Sequence, residues 1–387
     1  MKKLLALGLV SALAVSAVAC GGTDNKKASG EDTYKIGAIG PTTGAAAIYG
    51  NAVKYGAEIA IEEINAAGGI NGVKLELNFQ DDENDAEKGI NAYNALKDWN
   101  MDLLLGTVTS TPSVAVAPET ANDGYYMLTP SGSSPEITKG RTNVFQVCFS
   151  DNNQGVGAAQ YIGENAVAEK VAVIYDSSSV YSAGIYEKFQ EEAANQNFEI
   201  VAAEAFTEDT KTDFSVQLQK AKESGADLVF LPIYAAEASL VLTQADAMGF
   251  DTTFFGCDGL DGILSVKNFN AELAEGVILL TPFVADAEDE ATKAFVGKYK
   301  EAHGEVPNQF AADAYDGIYI IKKAIEEAEV TVDMTAQDIS AKLVEVMPNI
   351  TIDGLTGKDM SWQATGEVSK APAAMVIEDG VYVTFGK

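Results

Sequence analysis

Histidine occurs once in the 387 residues, at His303. A site needing two imidazoles is therefore excluded, and a serine triad would have to run through that single side chain. Cysteine occurs at positions 20, 148 and 257 alone, with no CxxC spacing. A zinc ribbon, a redox dithiol and a disulfide framework all lack support. Basic residues are scarce as well: 26 Lys and Arg stand against 57 Asp and Glu, a net charge of −31. Such a field repels phosphate backbones, so no nucleic acid is expected as a partner. No stretch of the body reaches the about 18 uninterrupted apolar residues of a spanning helix. No G-x-S-x-G elbow is present, and no repeat of solenoid length. What is present builds a core. Hydrophobic residues make up 47% and charged residues 21%, which argues against wholesale disorder. The length suits two domains of ordinary size.

The N-terminus reads as an address. Lys2 and Lys3 precede an apolar run over residues 4–17, too short to span as a mature helix, and Ala17-Val18-Ala19 supplies small residues for cleavage. Cys20 follows at once, so residues 1–19 resemble a bacterial lipoprotein signal in which Cys20 is lipidated; plain secretion after Ala19 is the alternative. Residues 20–33 are polar and form a flexible tether. The expected location is extracytoplasmic, with the lipid anchor as the only membrane link. The two remaining cysteines, Cys148 and Cys257, follow mostly apolar neighbours and are expected as buried, unpaired thiols.

Strands and helices alternate through the body. Strands are predicted at residues 34–39, 73–79, 102–105 and 125–128, with helices at 49–67, 86–99 and 112–122 between them. A bridge at 143–149 follows, and the rhythm restarts with helices at 153–166, 183–195, 213–223 and 236–248. Strands at 170–175, 199–205, 227–232, 253–256 and 276–280 separate or follow them. Such βαβ alternation specifies parallel sheets covered on both faces, here two doubly wound lobes. Helices are expected at 289–302, 309–327 and 336–346, then an extended segment at 349–353. The chain ends in a hairpin, 374–376 with 381–385, around an Asp-Gly turn.

Motifs that would carry catalysis fail on inspection. Gly37, Gly40 and Gly44 miss the G-x-G-x-x-G spacing, and Pro41 stiffens the turn; no cofactor is expected. Residues 354–358 lack the gap of a P-loop. Asp81, Glu83 and Asp85 mimic an EF-hand start, but Ala86 and Ala92 replace its glycine and its bidentate glutamate, so a strand end capping the next helix is the plainer account; no metal is expected. His303 ends a helix, where an imidazolium complements the dipole. Neither a cofactor, a metal nor a catalytic constellation emerges, and the protein is not expected to be an enzyme. Three loops after strands are instead rich in small hydroxyl residues: 40–44 with Tyr49 beyond it, 106–111, and 129–135. Hydroxyls and free N–H groups at helix starts make a carboxylate cradle.

On the runs IGAIGPTTGAAAIYG, INAAGGINGVKLEL, DDENDAEKG, GTVTSTPS, LTPSGSSPEIT and FFGCDG, residues 34–380 resemble the solute-binding proteins of branched-chain amino-acid ABC transporters, with a type I periplasmic binding fold. The resemblance implies two Rossmann-like α/β lobes joined by a three-segment hinge, crossing near residues 145–150, 281–284 and 350–357. The N-terminal lobe would comprise residues 34–147 plus 284–350, and the C-terminal lobe 151–280 plus 355–387. It implies a monomer that captures a small amino acid, branched-chain or otherwise aliphatic, for an ABC permease. A same-fold binder of an uncharged amide, urea or other solute is the alternative. Carried over by position, Ser110 and Ser133 grip the ligand carboxylate, while the Ser131 carbonyl and Asp258 meet its ammonium. Tyr49, Tyr181 and Tyr234 line and close the pocket. Asp258 stands where glutamate is frequent, and the loop at 177–181 leaves open whether Tyr181 or Tyr175 faces the ligand.

Overall fold

The computed structural model describes residues 33–385. The signal, Cys20 and the tether through residue 32 lie outside them. Thr33, expected as the last tether residue, is instead the first of β1 (Thr33–Gly40), where it pairs with Lys74. From there α1 (Ala47–Ala66), β2 (Lys74–Asp81), α2 (Ala86–Asp98), β3 (Leu103–Gly106), α3 (Ser110–Asp123), β4 (Met127–Thr129) and β5 (Val144–Gln146) follow. They form an all-parallel sheet in the order β2-β1-β3-β4-β5. The segment expected as a bare bridge thus contributes an edge strand. Only three residues pair, all fully buried, and so short an apolar piece carries no readable period.

The chain then enters a second sheet through α4 (Asp151–Glu164), β6 (Lys170–Asp176), α5 (Val180–Ala193), β7 (Glu199–Phe206), α6 (Ser215–Glu223), β8 (Leu228–Leu231), α7 (Ala235–Ala247), β9 (Thr253–Gly256) and β10 (Ile278–Thr281). It returns to the first lobe for α8 (Glu290–His303), α9 (Gln309–Glu327) and α10 (Ala336–Val346). A small ladder of β11 (Thr351–Ile352) and β12 (Met360–Ser361) precedes the final hairpin, β13 (Ala373–Glu378) and β14 (Val381–Thr384). That hairpin adds two antiparallel strands to the edge, giving the order β14-β13-β10-β9-β8-β6-β7. Its turn is Asp379-Gly380, both at positive φ (52° and 74°), the hairpin geometry that the dipeptide favours.

Each sheet is sandwiched. In the first, α1 and α9 pack together over one face while α2 and α3 cover the other; in the second, α4 pairs with α5, and α6 with α7. The α1–α9 crossing is close because Gly56 faces α9: a Cβ there would lie 2.0 Å from the Ala311 carbonyl oxygen. Strand order reverses beside β1 in the first sheet and beside β6 in the second, and the crevices at such points face each other across the lobes.

The third passage between lobes is pinned by buried charge. Lys370 Nζ donates to Asp313 Oδ1 on α9 (2.9 Å), and Asp316, one turn on, accepts from the backbone N–H groups of Leu355 (2.8 Å) and Thr356 (2.9 Å). Both side chains of the Lys370–Asp313 pair are almost fully withdrawn from solvent, at 2% and 1% exposure.

Candidate functional site

Seven residues singled out in the sequence, Tyr49, Ser110, Ser131, Ser133, Tyr181, Tyr234 and Asp258, line one narrow cavity of about 10 Å³ between the lobes. Each follows the carboxyl end of a strand: Tyr49 after β1, Ser110 after β3, Ser131 and Ser133 after β4, Tyr181 after β6, Tyr234 after β8 and Asp258 after β9. The doubly wound topology alone brings these distant positions together.

On the first lobe, Ser110 opens α3 and its Oγ accepts from the N–H groups of Ser133 (3.3 Å) and Ser134 (3.2 Å). The Ser133 hydroxyl lies 3.5 Å from that Oγ. Two further bonds lock the loops to each other: Ser131 Oγ donates to the Val108 carbonyl (2.7 Å), and Thr129 Oγ1 donates to that of Thr107 (2.7 Å). The result is a patch of hydroxyls and amides at a helix start, suited to a carboxylate. The remaining hydroxyl-rich loop behaves otherwise. Thr42 N–H and the Thr43 hydroxyl both donate to Asp81 (2.9 and 2.7 Å), so this loop gives the cavity Tyr49 and not its threonines. Asp81 therefore braces a loop, and Asp85 caps α2 by accepting from Lys88 N–H (2.9 Å), with no EF-hand in evidence. Among the described residues no group of three or more His, Cys, Asp or Glu side chains is placed to hold a metal ion.

The second lobe presents buried carboxyls. Asp258 is 2% exposed; its Oδ1 accepts from the Tyr181 hydroxyl (2.7 Å), and its backbone N–H donates to Gln154 Oε1 (3.1 Å). Burial pushes its carboxyl up to about 7, against the hydrogen bonds of Tyr181 and Gln154. Asp151, at the start of α4, is fully buried and neither carboxylate oxygen has a hydrogen-bond partner. Burial raises its carboxyl well above the usual range, with the Ser133 hydroxyl and the Asp258 charge as its polar surroundings. A withdrawn carboxyl on the cavity wall ionises at low cost only when a cation lies beside it.

Aromatic rings join the two sides. Phe310 packs on Tyr49 (centroids 4.7 Å apart), Tyr49 on Tyr234 (5.3 Å) and Tyr234 on Tyr181 (4.9 Å), a ladder running from one lobe into the other. The Tyr49 hydroxyl also donates to the Gly259 carbonyl (2.6 Å) and accepts from Ala235 N–H (2.8 Å), fastening α1 to the opposite lobe. Tyr175 instead stacks on Tyr186 (4.2 Å) away from the cavity, so Tyr181 is the one that faces it. His303 stacks on Tyr55 (3.8 Å) at the end of α8 and lines no part of the cavity. Cys148 and Cys257 are unpaired and buried, and burial pushes both thiols well up.

Val108 and Thr109, from the singled-out loop 106–111, also line the cavity, as do Phe310 and Gly259, which were not singled out in the sequence, nor were Asp151 and Gln154 behind it. Phe310 sits in an amphipathic helix where any buried aromatic reads as core. Asp151 precedes the residue at which periodicity starts the helix, so it passes for part of a connecting loop.

Two facing crevices, a hydroxyl-and-amide patch opposite buried carboxyls, and a cross-lobe ladder together define a two-lobed solute-binding protein. Residues 33–380 match the periplasmic binding protein family, and the chain belongs to it. It is 32% identical to the Leu/Ile/Val-binding protein homolog 3 of Brucella melitensis, covering 86% of this chain and 88% of that one. It is 30% identical to the leucine-, isoleucine-, valine-, threonine- and alanine-binding protein of Pseudomonas aeruginosa, over 81% and 84% of the two chains. Among solved structures, the branched-chain amino acid transporter substrate binding protein LivJ of Streptococcus pneumoniae, in complex with isoleucine, superposes with a TM-score of 0.82 at 30% identity, covering 90% of this chain and 97% of that one.

Proposed function

We propose that the protein captures the zwitterion of a small aliphatic amino acid between its lobes and delivers it to an ABC permease, without transforming it. The observation that carries this reading is the placement of opposite charge preferences on opposite jaws of one cavity. Ser110 and Ser133 hold the carboxylate. Asp258, joined by Asp151 and the Ser131 carbonyl, holds the ammonium, and the desolvated setting strengthens both contacts. Tyr49, Tyr234 and Tyr181 enclose the guest and Phe310 completes its apolar wall. Because the guest bridges both jaws, it stabilises the closed arrangement, the form that a permease would recognise. The N-terminal jaw comprises residues 33–147 plus 284–350, and the C-terminal jaw 151–280 plus 355–385. Lipidation of Cys20 would tether the protein outside the cytoplasm beside its permease and raise their effective concentration.

Calorimetry on the mature protein with leucine, isoleucine, valine, alanine and phenylalanine tests the reading. Heat with at least one aliphatic member is expected, and silence with all five would overturn it. Asp258→Asn separates the alternative: capture of an uncharged amide would survive the change, whereas that of an amino acid would not.

A further inference from the structure

Three residues beyond Asp258, on the same turn, Asp261 is fully buried, and its N–H donates to the Asp258 carbonyl (2.8 Å). Two hydroxyls of its own lobe aim its carboxylate. Thr281, which ends β10 where the second passage between lobes begins, donates to Oδ2 (3.0 Å), and Tyr382 on β14 donates as well. The third donor belongs to the opposite lobe: the Gln309 N–H reaches Oδ2 at 2.9 Å.

Gln309 is the first residue of α9, and the opening N–H groups of a helix find no acceptor within it. Asn308 caps the helix by accepting from Ala311 N–H (3.3 Å), which leaves the Gln309 N–H to Asp261. A carboxylate at that end also meets the positive pole of a 19-residue helix. The next residue, Phe310, lines the main cavity and packs on Tyr49. One short turn therefore presents Asp258 to the cavity and Asp261 to the helix that carries the cavity's aromatic wall. A carboxylate that served only its own lobe would be satisfied by Thr281 and Tyr382. The bond across the cleft exists only while the jaws are together.

We propose that Asp261 is a latch between the jaws, a positioning residue that caps α9 across the cleft and thereby seats Phe310 against the bound amino acid. The inference rests on the proposed function, because a latch matters to capture only if a guest lies between the lobes. Opening must break a charge-assisted bond, so the latch acts on the guest's departure more than on its arrival.

Gln309 allows a test that leaves Asp258, Asp261 and their turn unchanged. Proline is tolerated at the first position of a helix, and Asn308 before it is extended (φ −98°, ψ −179°), as a residue preceding proline prefers. Gln309→Pro removes the N–H and puts a ring carbon in its place, whereas Gln309→Ala keeps the N–H and accounts for the lost side chain. In calorimetry, isoleucine is expected to bind Gln309→Pro about tenfold more weakly than Gln309→Ala, and stopped flow should place the loss in the dissociation rate. With Asp261→Ala added to both, the gap should shrink to about twofold or less. Exchange of the Gln309 amide for deuterium needs no guest, and is expected to be about tenfold slower in the wild type than in Asp261→Ala. An affinity gap that is absent, a gap that persists with Asp261→Ala, or a Gln309 amide that exchanges equally fast with and without the carboxylate would overturn the latch. If Asp261→Ala fails to fold, the two Gln309 variants decide. Silence of the wild type toward isoleucine would sink the proposed function, and the amide exchange would still decide on the latch.

Discussion

At the scale of single residues, the cavity's chemistry is carried by carboxyls kept from water. Asp258→Asn removes the carboxylate that lines the cavity, and amino-acid affinity is expected to fall by about 2–5 kcal/mol, thirtyfold or more, in calorimetry. Tyr181→Phe removes the hydroxyl that donates to Asp258 (2.7 Å) and accepts from Gly259 N–H (2.9 Å); a loss of about 1–3 kcal/mol in the same assay is expected. The two acids also fix a pH dependence. Burial raises Asp258 to about 7 from its ordinary 3.8, and raises Asp151 in the same direction. An ammonium guest needs them ionised, so binding below neutrality must expel protons. Affinity is expected to climb as pH rises toward the value of about 7 that Asp258 holds without a guest, with a proton release visible as heats that differ between buffers. A flat profile below that value would contradict the arrangement. The guest-free protein should behave oppositely. Its folded state holds these protons where the unfolded chain has lost them, so stability falls as pH rises toward the same value.

At the scale of elements, the sequence is informative where period and punctuation agree. Helices such as α1, α8 and α9, and the Asp-Gly hairpin, were legible because an apolar stripe or a turn dipeptide decides each one. The loops bearing Ser110 and Ser133 were legible from their small hydroxyl residues after strands, whereas Asp258 was legible only through the family resemblance. Two kinds of feature were not. The edge strand β5 pairs through three residues and shows no period. The threonines at 42 and 43 resemble a cradle in composition, yet Asp81, 38 and 39 residues away in sequence, claims them. Phe310 belongs with these, since a cavity wall and a core position look alike until α9 is laid against α1. That junction yields a prediction of its own. Gly56→Ala places a methyl group 2.0 Å from the Ala311 carbonyl oxygen, which backbone cannot yield cheaply. Denaturant unfolding should show a destabilisation of about 1–3 kcal/mol, with α1, and so Tyr49, displaced from its partners.

At the scale of the whole molecule, the two sheets are coupled through the passages between them, and the third holds a buried ion pair. Lys370→Met would strand the Asp313 carboxylate, and about 3–5 kcal/mol of stability should be lost in denaturant unfolding. Lys370→Met with Asp313→Leu should recover most of it. If the single change were neutral, the pair would have no part in holding that passage. The aromatic ladder has a consequence at this scale too. Its rungs come from different lobes, so any opening of the jaws must unstack at least one of them and alter the asymmetric surroundings of tyrosine chromophores. The protein thereby carries its own optical gauge, readable by near-ultraviolet circular dichroism without a dye, a label or an engineered tryptophan.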